Sequence, residues 1–270
     1  MNGTTMRMNR LFSGKNAVIV AIDHGEFDGP IEGMVDLPKV AESIYSGVSG
    51  ILVSPGMLRH CNKALDFKGA PMSVVRCNWS SVYAFQWNYN DANTVQAYSI
   101  ADAVAQGADI ALVSLTLKTG LEQRDAANVE LFCRMANEAH HLGIPVIGEV
   151  FPTHCNQITR EEMHHQIKNG CRIIAELGAD LVKTFHTHNF TEVSEGCPVP
   201  ILCLGAEKMS TQLQALELAE KIVADGGKGV VYGRNAIQVP DPVSFQKALC
   251  EVVQEGVPAT EAAAKYALQD

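Results

Sequence analysis

Gly178-Ala179-Asp180-Leu181-Val182-Lys183-Thr184-Phe185 reads as a short buried strand entered just after a glycine that ends a helix. Gly107-Ala108-Asp109 leads into the apolar run 109–113 in the same way, which marks a repeated βα unit. Outward from these two, further short apolar runs lie at 17–22, 50–53, 72–76, 145–151, 199–204 and 229–232. A continuous apolar run is what a strand covered on both faces looks like. Helical spacing separates nearly all of them: Leu37, Val40, Ala41 and Ile44; Val129, Phe132, Cys133 and Ala136; Leu213, Leu216, Ala219 and Val223. A further helix is expected from about Ala92 through Val95, Tyr98, Ala101 and Ala105, and a last short one near Thr260. Thr159 with Glu162 forms a capping-box pattern, Ser210 is placed to cap a helix, and Asp241-Pro242 opens another. Eight strands alternating with helices in roughly 250 residues predict an α/β fold, a single-domain (β/α)8 TIM barrel, with a doubly wound sheet as the rival. Residues 1–15 are a polar lead-in and 16–270 the barrel domain.

Lys183 stands in the middle of its strand. A buried ammonium loses its hydration, so a lysine there is paired or used. Desolvation favours the neutral amine, a nucleophile toward carbonyls. The alternative is a strand-end lysine that snorkels or makes a salt bridge.

Barrel enzymes carry their chemistry at the C-terminal ends of the strands. Those ends offer Asp23 and His24; Arg76, Asn78 and Trp79; Glu149 and His154; Lys183, His186 and His188; Gly205, Ala206, Glu207 and Lys208; and Gly233, Arg234 and Asn235. The last two loops are where barrels commonly hold phosphate, and Arg234 can add a charge-assisted bond. Glu149 is placed either to pair with a barrel-mouth cation such as Arg76 or to move protons. His186 and His188, two apart, could share a face and bind metal with Glu149 or His154. His140, His141, His164 and His165 lie on helices and are expected to face solvent. Trp79 and Trp87 read as packing or loop anchors.

The chain has 270 residues, 47% hydrophobic and 19% charged, enough for a core without a disulfide or metal staple. A formal net charge of −9 without a Lys/Arg cluster argues against nucleic acid and anionic membrane as partners. Eight cysteines, none in a Cys-x-x-Cys pair, read as free thiols of a reducing compartment. The first residues lack the apolar region of a secretory leader, and no apolar run approaches a membrane span. A cytoplasmic location is expected.

Asp23-His24-Gly25, Val182-Lys183-Thr184 and Gly233-Arg234-Asn235, in that order, resemble the Schiff-base aldolase superfamily. That group holds the DeoC-type and archaeal-type class I fructose-bisphosphate aldolases. The likeness runs from about Leu11 to Leu268. It is closest to the thiolase branch that processes phosphorylated autoinducer-2, through Asp23 to Pro30 (Asp-His-Gly-x-Phe-x-Gly-Pro) and Gly196-Cys197-Pro198-Val199-Pro200-Ile201. The resemblance implies that Lys183 forms the Schiff base, that Asp23 holds or exchanges protons near the iminium, and that His24 takes part in catalysis. It also implies that Gly205, Ala206, Gly233 and Arg234 cradle a substrate phosphate. Two positions depart from the family. Its Tyr-Pro pair after strand five, whose tyrosine moves a proton, is Phe151-Pro152 here, and Glu149 on the same strand face is the candidate replacement. Its Ser-Gly-Gly phosphate turn is Leu204-Gly205-Ala206.

The leading expectation is a lyase: a class I aldolase that makes or breaks a C–C bond in a small phosphorylated ketose or deoxyketose through Lys183, with no cofactor and no metal. The alternatives are an acyltransferase of the thiolase type that uses coenzyme A as cosubstrate, a sugar-phosphate-binding barrel without chemistry, and a metal-dependent lyase. The segment 76–90 is expected to set the substrate. The family relationship also implies ring-like homo-oligomers, decamers among them.

Overall fold

The computed structural model describes residues 2–89 and 91–269. Its strands are β1 (Ala17–Ala21), β2 (Gly50–Val53), β3 (Met72–Arg76), β4 (Asn78–Ser80), β5 (Thr94–Gln96), β6 (Ile110–Leu115), β7 (Val146–Val150), β8 (Leu181–Thr184), β9 (Ile201–Leu204) and β10 (Gly229–Tyr232). Eight of them close into a parallel barrel in the order β1-β10-β9-β8-β7-β6-β3-β2. The remaining pair, β4 and β5, forms a small antiparallel ribbon at the barrel mouth. The expected (β/α)8 barrel is therefore the fold, and the doubly wound rival is not.

The strand period of two sorts the core into layers. Ala17, Ile19 and Ala21 join Leu52, Met72, Val74, Ile110, Leu112, Ile147, Leu181, Leu202 and Val231 inside the barrel. Their alternates Val18, Val20, Val75, Val146 and Val182 pack outward against the helices. The same alternation aims the functional groups. Arg76 follows Val74, Glu149 follows Ile147 and Lys183 follows Leu181, each two residues further along an inward-facing column. The β7–β8 register then sets Glu149 beside Lys183.

The polar lead-in is helical. Gly3–Phe12 is capped by the Asn2 side chain, which accepts a hydrogen bond from the Thr5 amide at 3.0 Å. Leu11, only 1% exposed, packs into the inner barrel cluster with Met8 and Phe12 around it. These residues thus close one end of the barrel.

The helix expected from Ala92 begins later. Thr94–Gln96 is β5, and the helix is Ile100–Ala105, capped by Ser99. β-Branched Thr94 and Val95 favour the strand, and the apolar spacing that suggested a helix included Val95, which is exposed. Thr159 and Asp241 cap their helices as expected, whereas the cap expected at Ser210 is made by Thr211.

Because Leu11 plugs the barrel, Leu11→Ala should lower stability by about 2–5 kcal/mol. A urea midpoint that does not move would show the lead-in to be a mere appendage.

Candidate active site

Four buried charges run across the barrel mouth. Asp23, Arg76, Glu149 and Lys183 are 4%, 2%, 1% and 6% exposed, so the array is nearly dry. Arg76 Nε donates to Asp23 Oδ2 at 2.7 Å, and its Nη1 donates to Glu149 Oε2 at 2.6 Å. Lys183 Nζ lies 2.6 Å from Glu149 Oε1. Glu149 is thus shared by two cations. Its second oxygen also accepts a hydrogen bond from the Tyr83 hydroxyl at 2.7 Å. The Arg76 guanidinium sits 4.8 Å from the Tyr83 ring centre and 5.2 Å from that of Phe27. These are cation–π distances that compensate for lost hydration.

The electrostatics follow from this packing. Burial works to raise the Glu149 pKa, but the charges of Arg76 and Lys183 outweigh it and hold the carboxyl at about 2. Burial likewise opposes ionisation of Asp23, yet Arg76 and Lys183 keep it below the ordinary carboxylate range. Burial favours the neutral form of His24, and the nearby cations Lys183, Arg234 and Arg76 add to that against Asp23. Glu26, one turn beyond Asp23, is different. Burial pushes its pKa up to about 8, with Arg76 opposing, and its Oε2 is buried without a hydrogen-bond partner.

The array forms one wall of a cavity of about 530 Å³. Asp23, His24, Glu149, Lys183, Gly205, Ala206, Gly233 and Arg234, the eight positions singled out from the sequence, all line it. The His24 ring lies against the backbone of Gly233, where a β-carbon would run into it, and His24 Nδ1 is buried without a partner. On the far rim, Asn235 Nδ2 donates to the carbonyls of Gly205 (2.8 Å) and Glu207 (2.9 Å), while its Oδ1 accepts from the Met209 amide (2.8 Å). This side chain therefore shapes the loop that the sequence marked for phosphate. Arg234 donates to the Ala206 carbonyl at 3.0 Å, and its Nε remains buried and unpartnered. Lys208 lines the same rim. Ala206 sits at φ +54°, in the left-handed region that favours glycine.

Other expectations are corrected or placed elsewhere. His186 pairs with Asp225 at 2.7 Å and His188 with Glu161 at 3.2 Å, so the two do not converge on Glu149. His164, expected in solvent, is buried, its Nδ1 against the Thr187 hydroxyl at 2.9 Å. Trp79 is a loop anchor, its indole N–H donating to the Glu26 carbonyl at 3.2 Å, whereas Trp87 is 65% exposed. All eight cysteines are free. Among the described residues no helix is long and apolar enough to cross a membrane. The sequence reading missed Tyr83, Glu26 and the loop-holding role of Asn235. Arg76 carried a signal, a charge on an inward strand position, but only as a partner for Glu149.

Two outcomes follow. Gly233→Ala should displace the His24 ring and cut turnover at least tenfold while the fold holds; turnover unchanged would remove His24 from the site. The Glu149 pKa lies below its unfolded value, so its stabilising contribution is present above about pH 5 and is lost as pH falls toward 2. The Glu26 pKa lies above its unfolded value, so its contribution is present below the ordinary carboxylate range and is lost as pH rises toward 8. The urea midpoint of Glu26→Gln relative to the parent should therefore rise between about pH 5 and 8. Parallel curves would contradict the assignment.

Residues 17–239 match the family model described as DeoC/LacD family aldolase. An uncharacterised aldolase of Saccharolobus solfataricus is 30% identical over 97% of this chain and 98% of its own length. The 3-hydroxy-5-phosphonooxypentane-2,4-dione thiolase of Escherichia coli is 26% identical over 98% of this chain and 87% of its own. Among solved structures, a Schiff-base-forming fructose-1,6-bisphosphate aldolase superposes with a TM-score of 0.78 at 24% identity, covering 92% of this chain and 99% of the other. Its likeness bears on the fold, which it shares. The extent of the family match, from β1 past β10, makes this chain a member of the DeoC/LacD family of aldolases.

Proposed function

We propose that the protein is a class I aldolase that cleaves or forms a C–C bond in a small phosphorylated ketose or deoxyketose through an imine on Lys183. The observation that carries the reading is the pairing of Lys183 with Glu149 on the wall of the cavity, 2.6 Å apart and almost without exposure.

The amine must first give up a proton. We assign that step to His24, which lines the same cavity and favours the neutral form. Lys183 Nζ then attacks the carbonyl, water leaves, and a cationic iminium forms. Retro-aldol cleavage draws the C–C bonding electrons into this iminium. The substrate's β-hydroxyl loses its proton, an aldehyde departs, and a neutral enamine stays on Lys183.

Charge accounting identifies the proton acceptor. In the resting site Arg76 and Lys183 together hold Glu149 at about 2, which makes it a poor base. When the iminium becomes an enamine, one of those two cations is gone. The proton affinity of Glu149 rises at the moment the hydroxyl proton must go somewhere. Protonating the enamine carbon from Glu149 restores the iminium, and hydrolysis frees the second product. The iminium is the electron sink, so the sequence of steps calls for no metal.

Arg234 and Lys208 bring two cations to the opposite rim, beside Glu207 and Asp28, and offer charge-assisted bonds to a phosphate. The E. coli relative is named for a phosphorylated dione and the solved aldolase for a bisphosphate, which supports the same substrate class. The thiolase likeness also supports a second reading, acyl transfer from a phosphorylated dione to coenzyme A.

Release of aldehyde from a panel of phosphorylated ketoses, fructose 1,6-bisphosphate included, should proceed without coenzyme A. It should vanish in Lys183→Ala and fall about 100-fold or more in Glu149→Gln. Strict dependence on coenzyme A would establish the second reading. Binding of the panel with no turnover in any case would leave a sugar-phosphate-binding barrel.

A further inference from the structure

Tyr83 belongs to none of the motifs in the sequence, yet it is firmly built into the site. It ends the turn Ser81–Tyr83 that follows β4, and the Ser80 side chain caps that turn. Its ring stands 4.8 Å from Phe27 and 4.6 Å from Phe151, centre to centre, with the Arg76 guanidinium 4.8 Å from the ring. The residue is 7% exposed, and what it exposes lines the reaction cavity. Such packing leaves the hydroxyl one position, 2.7 Å from Glu149 Oε2.

Two features give that hydroxyl a task. First, Phe151, two residues after Glu149 and also lining the cavity, carries no hydroxyl. Tyr83 lies against this same ring, so a hydroxyl absent from one side of the contact is present on the other. Second, Glu149 already accepts hydrogen bonds from Arg76 and Tyr83 as well as holding Lys183, with only 1% of its surface exposed. A carboxylate offers about four acceptor positions. A substrate hydroxyl meets it more readily through the phenol, whose oxygen has two lone pairs and the Ser114 hydroxyl as its other protein neighbour.

We propose that Tyr83 is a catalytic residue that relays the substrate proton to and from Glu149. The inference rests on the Lys183 imine reading above. In the cleavage step the substrate β-hydroxyl gives its proton to Tyr83 Oη, while the proton of Tyr83 passes to Glu149 Oε2. The freed O–H electrons form the aldehyde C=O, and the C–C bonding electrons neutralise the iminium as an enamine. Tyr83 ends as it began, a neutral phenol, and Glu149 ends protonated. The return step runs the same relay toward the enamine carbon. Burial, with Glu149 adding to it, holds the phenol pKa well above its ordinary value, so Tyr83 passes a proton without becoming a phenolate.

The test uses the full-length protein with dihydroxyacetone phosphate, whose imine exchanges an α-proton with solvent through the same groups. Tyr83→Phe should still yield a borohydride-trapped adduct on Lys183 to the parent's extent, while α-proton exchange in deuterium oxide slows about 100-fold or more. Exchange within threefold of the parent would overturn the relay and leave the imine reading standing. Loss of adduct in step with exchange would also overturn it, since Tyr83 would then serve only to hold the site. Absence of an adduct on the parent itself would take down the imine reading and the relay together. Should Tyr83→Phe not fold, the parent's exchange rate in mixed light and heavy water decides. In the abstraction step the relay moves one solvent-derived proton, that of Tyr83, so loss of the carbon-bound proton slows linearly with deuterium fraction, and a rate independent of deuterium fraction overturns it.

Discussion

One carboxylate shared between two cations organises this protein. Glu149 sits on an inward column of the barrel with almost no access to water, and it can be ionised there only because Arg76 and Lys183 face it. Removing either cation leaves a buried charge without its full complement, which typically costs several kcal/mol. Arg76 in turn is held by Asp23 and by the rings of Phe27 and Tyr83. The loop after β1, the turn after β4 and the ends of β3, β7 and β8 are therefore tied to a single electrostatic balance. A barrel suits this because its strands converge on one mouth while its register fixes neighbours to the residue.

The balance also underlies the reactivity proposed for the site. A lysine paired to a carboxylate is stable and inert until its charge changes. In the proposed imine cycle that charge is lost twice, when the ammonium gives up its proton and when the cationic iminium becomes a neutral enamine. On that proposal Glu149 responds each time through Coulomb interaction across a dry site, where charges are felt strongly. On the proposed mechanism, the proton affinity of Glu149 is thus coupled to the covalent state of Lys183.

Much of this was legible in the residues, for reasons that can be named. Strands covered on both faces are apolar throughout, so Lys183 and Glu149 stood out against Val182 and Val150 as costly exceptions. Period-two alternation carries them to the inner face, whereas the close approach of the His24 ring to Gly233 shows only in the structure. Tyr83 was not legible, because a loop has no period and its contact with Glu149 spans 66 positions. Glu26 looked like one polar loop residue among several, and only packing reveals its buried carboxyl. The lead-in misled by composition. Its polar residues form the outer face of a helix, and the few apolar ones, Leu11 foremost, fill the end of the barrel. At 92–98 the helical spacing of apolar residues was fortuitous, since Val95 is exposed on a ribbon strand.

The claim at the centre is that the charge on Lys183 governs the proton affinity of Glu149. Carbon-13 NMR of the Glu149 side-chain carboxyl, followed as a function of pH in the parent and in Lys183→Met, measures this directly. With both cations present the carboxyl should remain ionised down to the lowest pH at which the protein stays folded. With Lys183 replaced, burial is opposed by Arg76 alone, and the titration should move up into the range above about pH 3. A Glu149 that stays ionised below that pH without the lysine would mean that Arg76 suffices, and the coupling would be refuted.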